Sequence, residues 1–231
     1  MNRLLLSALV LIATPLVQAE TFEIEIQNLT RGSYFTPLLV AAHPEGTALF
    51  EVGQPASTAL QAMAEGGSIA ELESQLQGLG ATQSNNPAGG LLGPGERTRT
   101  TLNTSGAAAN TRLSIVGMIL PTNDGFVAAN GLELPMSGTV TMSLNAYDAG
   151  TEGNDEIRGS GMPGQPGLPV PPPLDDSLGH NGSGRAAPAE GFVHIHRGVL
   201  GDTDSEGGPS DIDSTRHRWL NPVARVTITV Q

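Results

Sequence analysis

The sequence predicts a mainly β protein: an antiparallel β-sandwich with one or two short inserted helices and long Gly/Pro-rich loops. Three observations predict it. Several segments alternate apolar and polar residues over the length of a strand. Only Ser57 to Gln77 carries a helical spacing. The 30 glycines and 17 prolines of the 231 residues gather mainly between those segments.

The first residues have the three parts of a secretory signal. Arg3 supplies a positive start, Leu4 to Ala13 an apolar middle, and Val17-Gln-Ala19 a small-residue cleavage pattern. The apolar run is shorter than the roughly 20 residues that span a bilayer. Residues 1–19 therefore read as a removed signal, residues 20–231 as one domain of a secreted or periplasmic protein, and no later segment reads as transmembrane. Thr21 to Gln27 alternates strictly, with Phe22, Ile24 and Ile26 on one face and Glu23, Glu25 and Gln27 on the other, which is a half-buried strand. Thr36 to His43 reads as a second strand, with Pro37 at its start where no ladder donor is lost.

In the helical region Leu60, Met63 and Ala64 recur at helical spacing before Gly66-Gly67 interrupts them. Ser68 with Glu71 three residues later forms a capping-box pattern for a second helix, whose stripe is Ile69, Leu72 and Leu76 and whose end is Gly78. A Gly/Pro/Asn loop follows, then strands at Glu96 to Leu102 and Arg112 to Ile119. Gly138 to Tyr147 alternates clearly, with Val140, Met142, Leu144 and Ala146 on one face. Residues 159–190 read as a long exposed loop. Gly191 to Gly198 and Val223 to Val230 are expected to close the sandwich.

Composition narrows the function. The chain has no cysteine, which removes thiol catalysis and thiolate metal sites, and leaves a core or a bound metal to hold a secreted fold. Its formal charge is -12 and all of its Lys+Arg residues are arginine, which argues against nucleic acid and against electrostatic docking on an anionic membrane. No Gly-x-Ser-x-Gly elbow and no phosphate-cradling loop is present, so the chain is expected not to be an enzyme.

Three constellations stand out. Asp148 ends the 138–147 strand, Gly150 permits a tight turn, and Glu152 follows four residues after Asp148. Calcium takes six to eight oxygens, so a third carboxylate is needed, and Asp124 in the turn Pro121-Thr-Asn-Asp-Gly125 offers one. Spacing alone leaves open whether these oxygens share an ion or are solvated turn carboxylates. His194-Ile-His196 places two imidazoles on one face of a strand, a pair suited to zinc or copper or to ordinary hydrogen bonding. A third ligand would come from His43, His180, His217 or a carboxylate. Asp202 to Asp213 approaches an EF-hand spacing but has no terminal glutamate and carries a proline. Trp219 reads as a core or strand-edge anchor, with a sugar-stacking platform as the other reading.

The segment Leu144-Asn-Ala-Tyr-Asp-Ala-Gly-Thr-Glu152 resembles the Tyr-Asp-Ala-Gly-Thr-Asp segment of the spondin N-terminal domain family. His43-Pro-Glu-Gly, Leu49 to Ser57, Phe192-Val-His-Ile-His-Arg-Gly198 and Trp219 to Val226 are similar to its short secreted bacterial members. The resemblance implies a C2-like β-sandwich with a calcium ion (Ca2+) between loops at one end. It also implies the ligands: Asp124 from the first turn, and Asp148 and Glu152 from the second. Glu152 is longer than the family's usual aspartate, while Asp155 and Glu156 match nothing in the pattern and are expected to be solvated. The resulting expectation is a calcium-binding module for adhesion or surface recognition of an extracellular glycan, protein or lipid surface. The alternative is a transition-metal protein or metalloenzyme built on His194 and His196.

Overall fold

In the computed structural model, which describes residues 20–231, the expected antiparallel strands form one large, nearly closed sheet. The expected signal, residues 1–19, lies outside the described residues. The elements in chain order are β1 (Thr21–Asn28), β2 (Tyr34–Phe35), β3 (Leu39–Pro44), α1 (Thr58–Gly66), α2 (Ala70–Gly78), β4 (Thr82–Asn85), β5 (Arg97–Asn103) and β6 (Asn110–Leu120). They continue as β7 (Gly125–Glu133), β8 (Thr139–Asp148), β9 (Arg158–Gly159), β10 (Leu168–Pro169), α3 (Pro172–Asp175), β11 (His194–Ile195), α4 (Ser214–His217) and β12 (Ala224–Val230).

The sheet runs β4-β3-β6-β7-β8-β12-β1-β5, with β2 added on β6 and β11 on β8. Its two end strands nearly meet, and the Thr100 hydroxyl of β5 donates to Ser84 Oγ of β4 at 2.6 Å. Inside, Phe22, Ile24 and Ile26 of β1 pack with Phe35, Ile115, Val226 and Ile228. That is the core the alternation in β1 and β12 predicts, and Ile24 faces Ile228 across the ladder. A second apolar layer covers the outer face of β3, β6 and β7, where Leu60 and Met63 of α1 and Leu72 of α2 meet Val116, Met118 and Phe126. Strands β3 and β6 are thus buried on both faces, so their sequences run apolar with little alternation.

Double burial explains the main omission of the sequence reading. Strand β7, Gly125–Glu133, carries Phe126, Val127, Ala128 and Ala129 buried in succession, with no period-2 signal to reveal it. The short β4 also lies in what reads as loop, and the expected strand 191–198 shrinks to His194–Ile195. Val140 is exposed at the open end of β8, so the apolar face of that strand is buried only from Leu144 onward.

The helices follow their caps. Ser57 Oγ accepts from Leu60 N and starts α1, and Gly67, with φ +70, ends it. The expected Ser68 cap of α2 does not form; Ile69 stands at that position without a side-chain bond. Ser68 is instead tied into the end of α1, its N–H donating to Ala62 O while Gly67 N–H donates to Met63 O.

Candidate metal centre

The missed strand is what builds the site. Strand β7 lies between β6 and β8 and pairs Gly125 with Asp148, which sets Asp124 beside the end of β8. On the other edge of β8, β12 pairs as far as Leu144, and β11 takes the positions opposite Tyr147 and Asp148. Asp148 is therefore flanked by the start of β7 and by His194. Gly125 has to be glycine here, because a Cβ would lie 2.9 Å from His196 Cδ2.

The turn after β8 has the local chemistry its residues suggest. Asp148 Oδ1 accepts from Gly150 N–H at 2.9 Å, an Asx-type turn, and Gly150 takes φ +67. Asp124 Oδ2 accepts from the N–H groups of Thr151 and Glu152 and from the Thr151 hydroxyl. These bonds join the two loops. Asp124 Oδ1 is buried and has no donor. Burial, then the neighbouring Asp148 charge, push the Asp124 carboxyl up to about 8, against the pull of its three donors.

Asp124 and Asp148 are thus brought together. The Glu152 carboxylate faces another way: Oε1 accepts from Asn123 Nδ2 and Gly167 N–H, and its charged neighbours are Glu65 and Asp155. Burial raises its carboxyl as well. Glu152 meets Asp124 through its backbone N–H.

Asp155 and Glu156 are not the solvated acids expected. Asp155 Oδ1 accepts from Asn123 Nδ2 and Ile157 N–H. Glu156 is buried, pairs with Arg185 at 2.9 Å and accepts from the N–H groups of Leu200 and Gly201. It anchors the long 159–201 segment to the rim, which the sequence pattern of a Gly/Pro loop does not reveal.

The two histidines both approach Asp148, but as opposite tautomers. His194 Nδ1 lies 3.0 Å from Ile195 O, an atom that only accepts, so Nδ1 carries the proton and Nε2 the lone pair. That Nε2 is 3.6 Å from Asp148 Oδ1 and 3.9 Å from Glu190 Oε2. His196 Nδ1 accepts from Gly198 N–H, so its proton sits on Nε2, which points to Asp148 Oδ2 at 3.8 Å. His196 is 3% exposed, and burial pushes it down to about 4, which keeps it neutral. Asp148, Glu190 and His194 each bring one ligand atom within 4.8 Å of the others. The sequence reading missed Glu190: it stands in a loop, and only its i,i+4 spacing to His194 hints at it.

The other candidates are placed elsewhere. His43 Nε2 bonds Ser114 Oγ, and His217 bonds the carbonyl of Gly32, so both are structural. In the acidic loop, Asp202 accepts from Asp204 and Ser210 N–H groups and Asp204 from Glu206 N–H. Those carboxylates cap their own turns. Trp219 is buried in the inner core beside His196, with ring centroids 5.0 Å apart, and presents no platform for a sugar. No helix among the described residues is long and apolar enough to cross a membrane.

A family model described as Spondin_N matches residues 20–167, which takes in β7 and β8, both turns and all three expected carboxylates. His194, His196 and Glu190 fall beyond the match. No curated protein matches the chain.

Proposed function

The chain belongs to the spondin N-terminal domain family, an extracellular-type module, and on that premise we propose that it is a non-enzymatic, calcium-binding adhesion or recognition domain. The observation that carries the reading is the pair Asp124 and Asp148. Both are buried, Asp124 precedes the Gly125 that pairs with Asp148, the Asp148 charge raises the Asp124 carboxyl, and Asp124 Oδ1 has no donor. Two buried carboxylates that feel each other's charge do not both stay charged without an ion, and a divalent cation can take the place of the proton that otherwise neutralises one of them. The donor set fits: hard oxygens, with backbone and water to complete the shell. Glu152 completes it with its side chain only by leaving Gly167.

In this reading the ion fixes the loops 121–126 and 147–153 against each other, and the rim they form presents the recognition surface for a glycan, protein or lipid partner. The direct test is thermal unfolding of the mature chain in calcium and in chelator. An ion bound only by the folded state stabilises by mass action, about 2.7 kcal/mol at 100 times its dissociation constant. Identical melting curves in saturating calcium and in chelator would end the proposal.

A further inference from the structure

A calcium ion shared with Asp124 accounts for only the inner side of Asp148. On its outer side stand His194 and Glu190. Their free atoms, His194 Nε2 and Glu190 Oε2, are buried and without any hydrogen-bond partner. Among the described residues eight buried side-chain atoms lack a partner, and four of them, His194 Nε2, Glu190 Oε2, His196 Nε2 and Asp124 Oδ1, belong to the neighbours of Asp148. Half of the unpartnered buried atoms of the described residues thus belong to one site.

The separations exclude hydrogen bonds. At 3.6 and 3.9 Å, His194 Nε2 is too far from either carboxylate to donate, and its lone pair faces two anions. Two atoms each about 2.1 Å from one ion lie no more than about 4.2 Å apart, so both distances suit co-ligands.

We infer that Asp148, Glu190 and His194 form a second ion seat, for a divalent transition ion of the zinc class. The chemistry selects the class. One imidazole and two carboxylates suit zinc, whereas calcium prefers an all-oxygen shell, and no thiolate or thioether is present to favour copper(I). Two negative charges and a neutral imidazole cancel the charge of the ion.

The surroundings match what a zinc ligand set requires. The Ile195 carbonyl holds the proton of His194 on Nδ1 and aims Nε2 at the ion, the ordinary outer-contact device for a metal histidine. Asn154 Nδ2 donates to Asp148 Oδ2 at 3.0 Å and positions the carboxylate, while His196, whose Nε2 carries its proton and lies 3.8 Å from that oxygen, is neither a ligand nor bonded to it. The outer loop is held firmly: Gly191 N–H donates to Gly150 O, Val193 N–H to Gln54 O, and β11 pairs with β8. Three protein ligands leave a position open. Here it faces a cavity of about 360 Å³ lined in part by Asn154, Phe192, Ile195 and Arg197. Water would complete the shell at that position.

The inference goes beyond the calcium reading and is separable from it. The test is equilibrium dialysis of the metal-stripped mature chain against zinc alone, in calcium-free buffer, with zinc counted per chain. The visible absorption of the cobalt(II) form reports the ligand set. The wild type should hold one zinc at micromolar free ion. His194→Ala and Glu190→Gln should each weaken it more than tenfold and change the cobalt spectrum, while both keep the calcium-dependent melting gain that proves them folded. His180→Ala, an exposed histidine elsewhere, should bind as the wild type does. Equal zinc affinity in wild type, His194→Ala and Glu190→Gln overturns the assignment, as does the absence of bound zinc at micromolar free ion. Zinc binding that persists in a chain with no calcium response would instead refute the calcium reading and leave this one standing.

Discussion

Replacing Asp124 with asparagine should make the metal-free protein more stable and the calcium-treated protein less responsive, a combination that an ordinary structural carboxylate would not produce. Asp124 is raised from 3.8 to about 8 by burial and by Asp148. At pH 7 the folded chain must keep it protonated, and at about 1.4 kcal/mol per pH unit this costs about 4 kcal/mol relative to the unfolded chain. Asp124→Asn removes that cost. The amide oxygen of the variant can still accept from the N–H groups of Thr151 and Glu152, and the amide nitrogen takes the place of the protonated Oδ1. Burial of the amide Nδ2–H2, which needs acceptors of its own, offsets part of the gain, which leaves about 2 kcal/mol. At about 2–4 °C per kcal/mol for a domain of this size, melting in chelator should rise by about 6 °C. The calcium-dependent rise of the wild type should be lost. Differential scanning calorimetry at pH 7, with and without calcium, reads both. A variant that melts lower than wild type in chelator and still gains stability from calcium would refute the account of the pair.

Other consequences can be checked on the same preparations. Asp155→Asn keeps the Oδ1 that accepts from Asn123 and Ile157, so calcium-dependent melting should be nearly unchanged. Loss as large as in Asp124→Asn would point to diffuse acidity. Gly150→Ala places a Cβ against the Phe192 backbone, 2.7 Å from its nitrogen, at φ +67. It should cost about 1–3 kcal/mol and weaken both ions, measured by urea unfolding and dialysis. The pH dependence follows from two opposed groups. Asp124, raised, contributes stability that is lost as pH rises toward about 8, and His196, lowered, contributes stability that is lost as pH falls from about 6.5 toward about 4. They offset each other below about pH 6.5, and above it Asp124 acts alone. Urea unfolding in chelator should therefore show a loss of about 2 kcal/mol between pH 6.5 and 8 that calcium abolishes. Stability that climbs over that window in chelator would count against it.

The readable parts of this fold are those with one wet face. The outward Glu23, Glu25 and Gln27 of β1 and the outward threonines of β12 reveal their strands, and Ser57 and Gly67 mark the ends of α1. Strand β7 is hidden because apolar layers cover both its faces, which erases the alternation that would reveal it. That single omission also hid why Asp124 comes beside Asp148, since β6 and β8 are not neighbours and β7, which starts just after Asp124, lies between them. The Asp148 turn was legible from its Asp-Ala-Gly order, because Gly150 alone tolerates the φ it needs. The direction of the Glu152 side chain was not, since it depends on Gly167 from a loop whose course no periodicity encodes. The histidine pair was visible, but its division into a ligand-ready His194 and a donor His196 rests on two backbone contacts, Ile195 O and Gly198 N–H. Both are set only once the chain has turned.

Hydrogen exchange with and without calcium tests the central claim, that an ion at Asp124 and Asp148 ties two loops together at the end of a nearly closed sheet whose core holds without it. Residues 121–126 and 147–153 should gain protection on adding calcium, because beyond the end of the β7–β8 ladder their link is a few hydrogen bonds, to the Asp124 carboxylate and between Asn123 and Glu152. Residues 224–230, paired on both sides and packed in the inner core, should change little. Unchanged exchange at both loops in saturating calcium would contradict the claim.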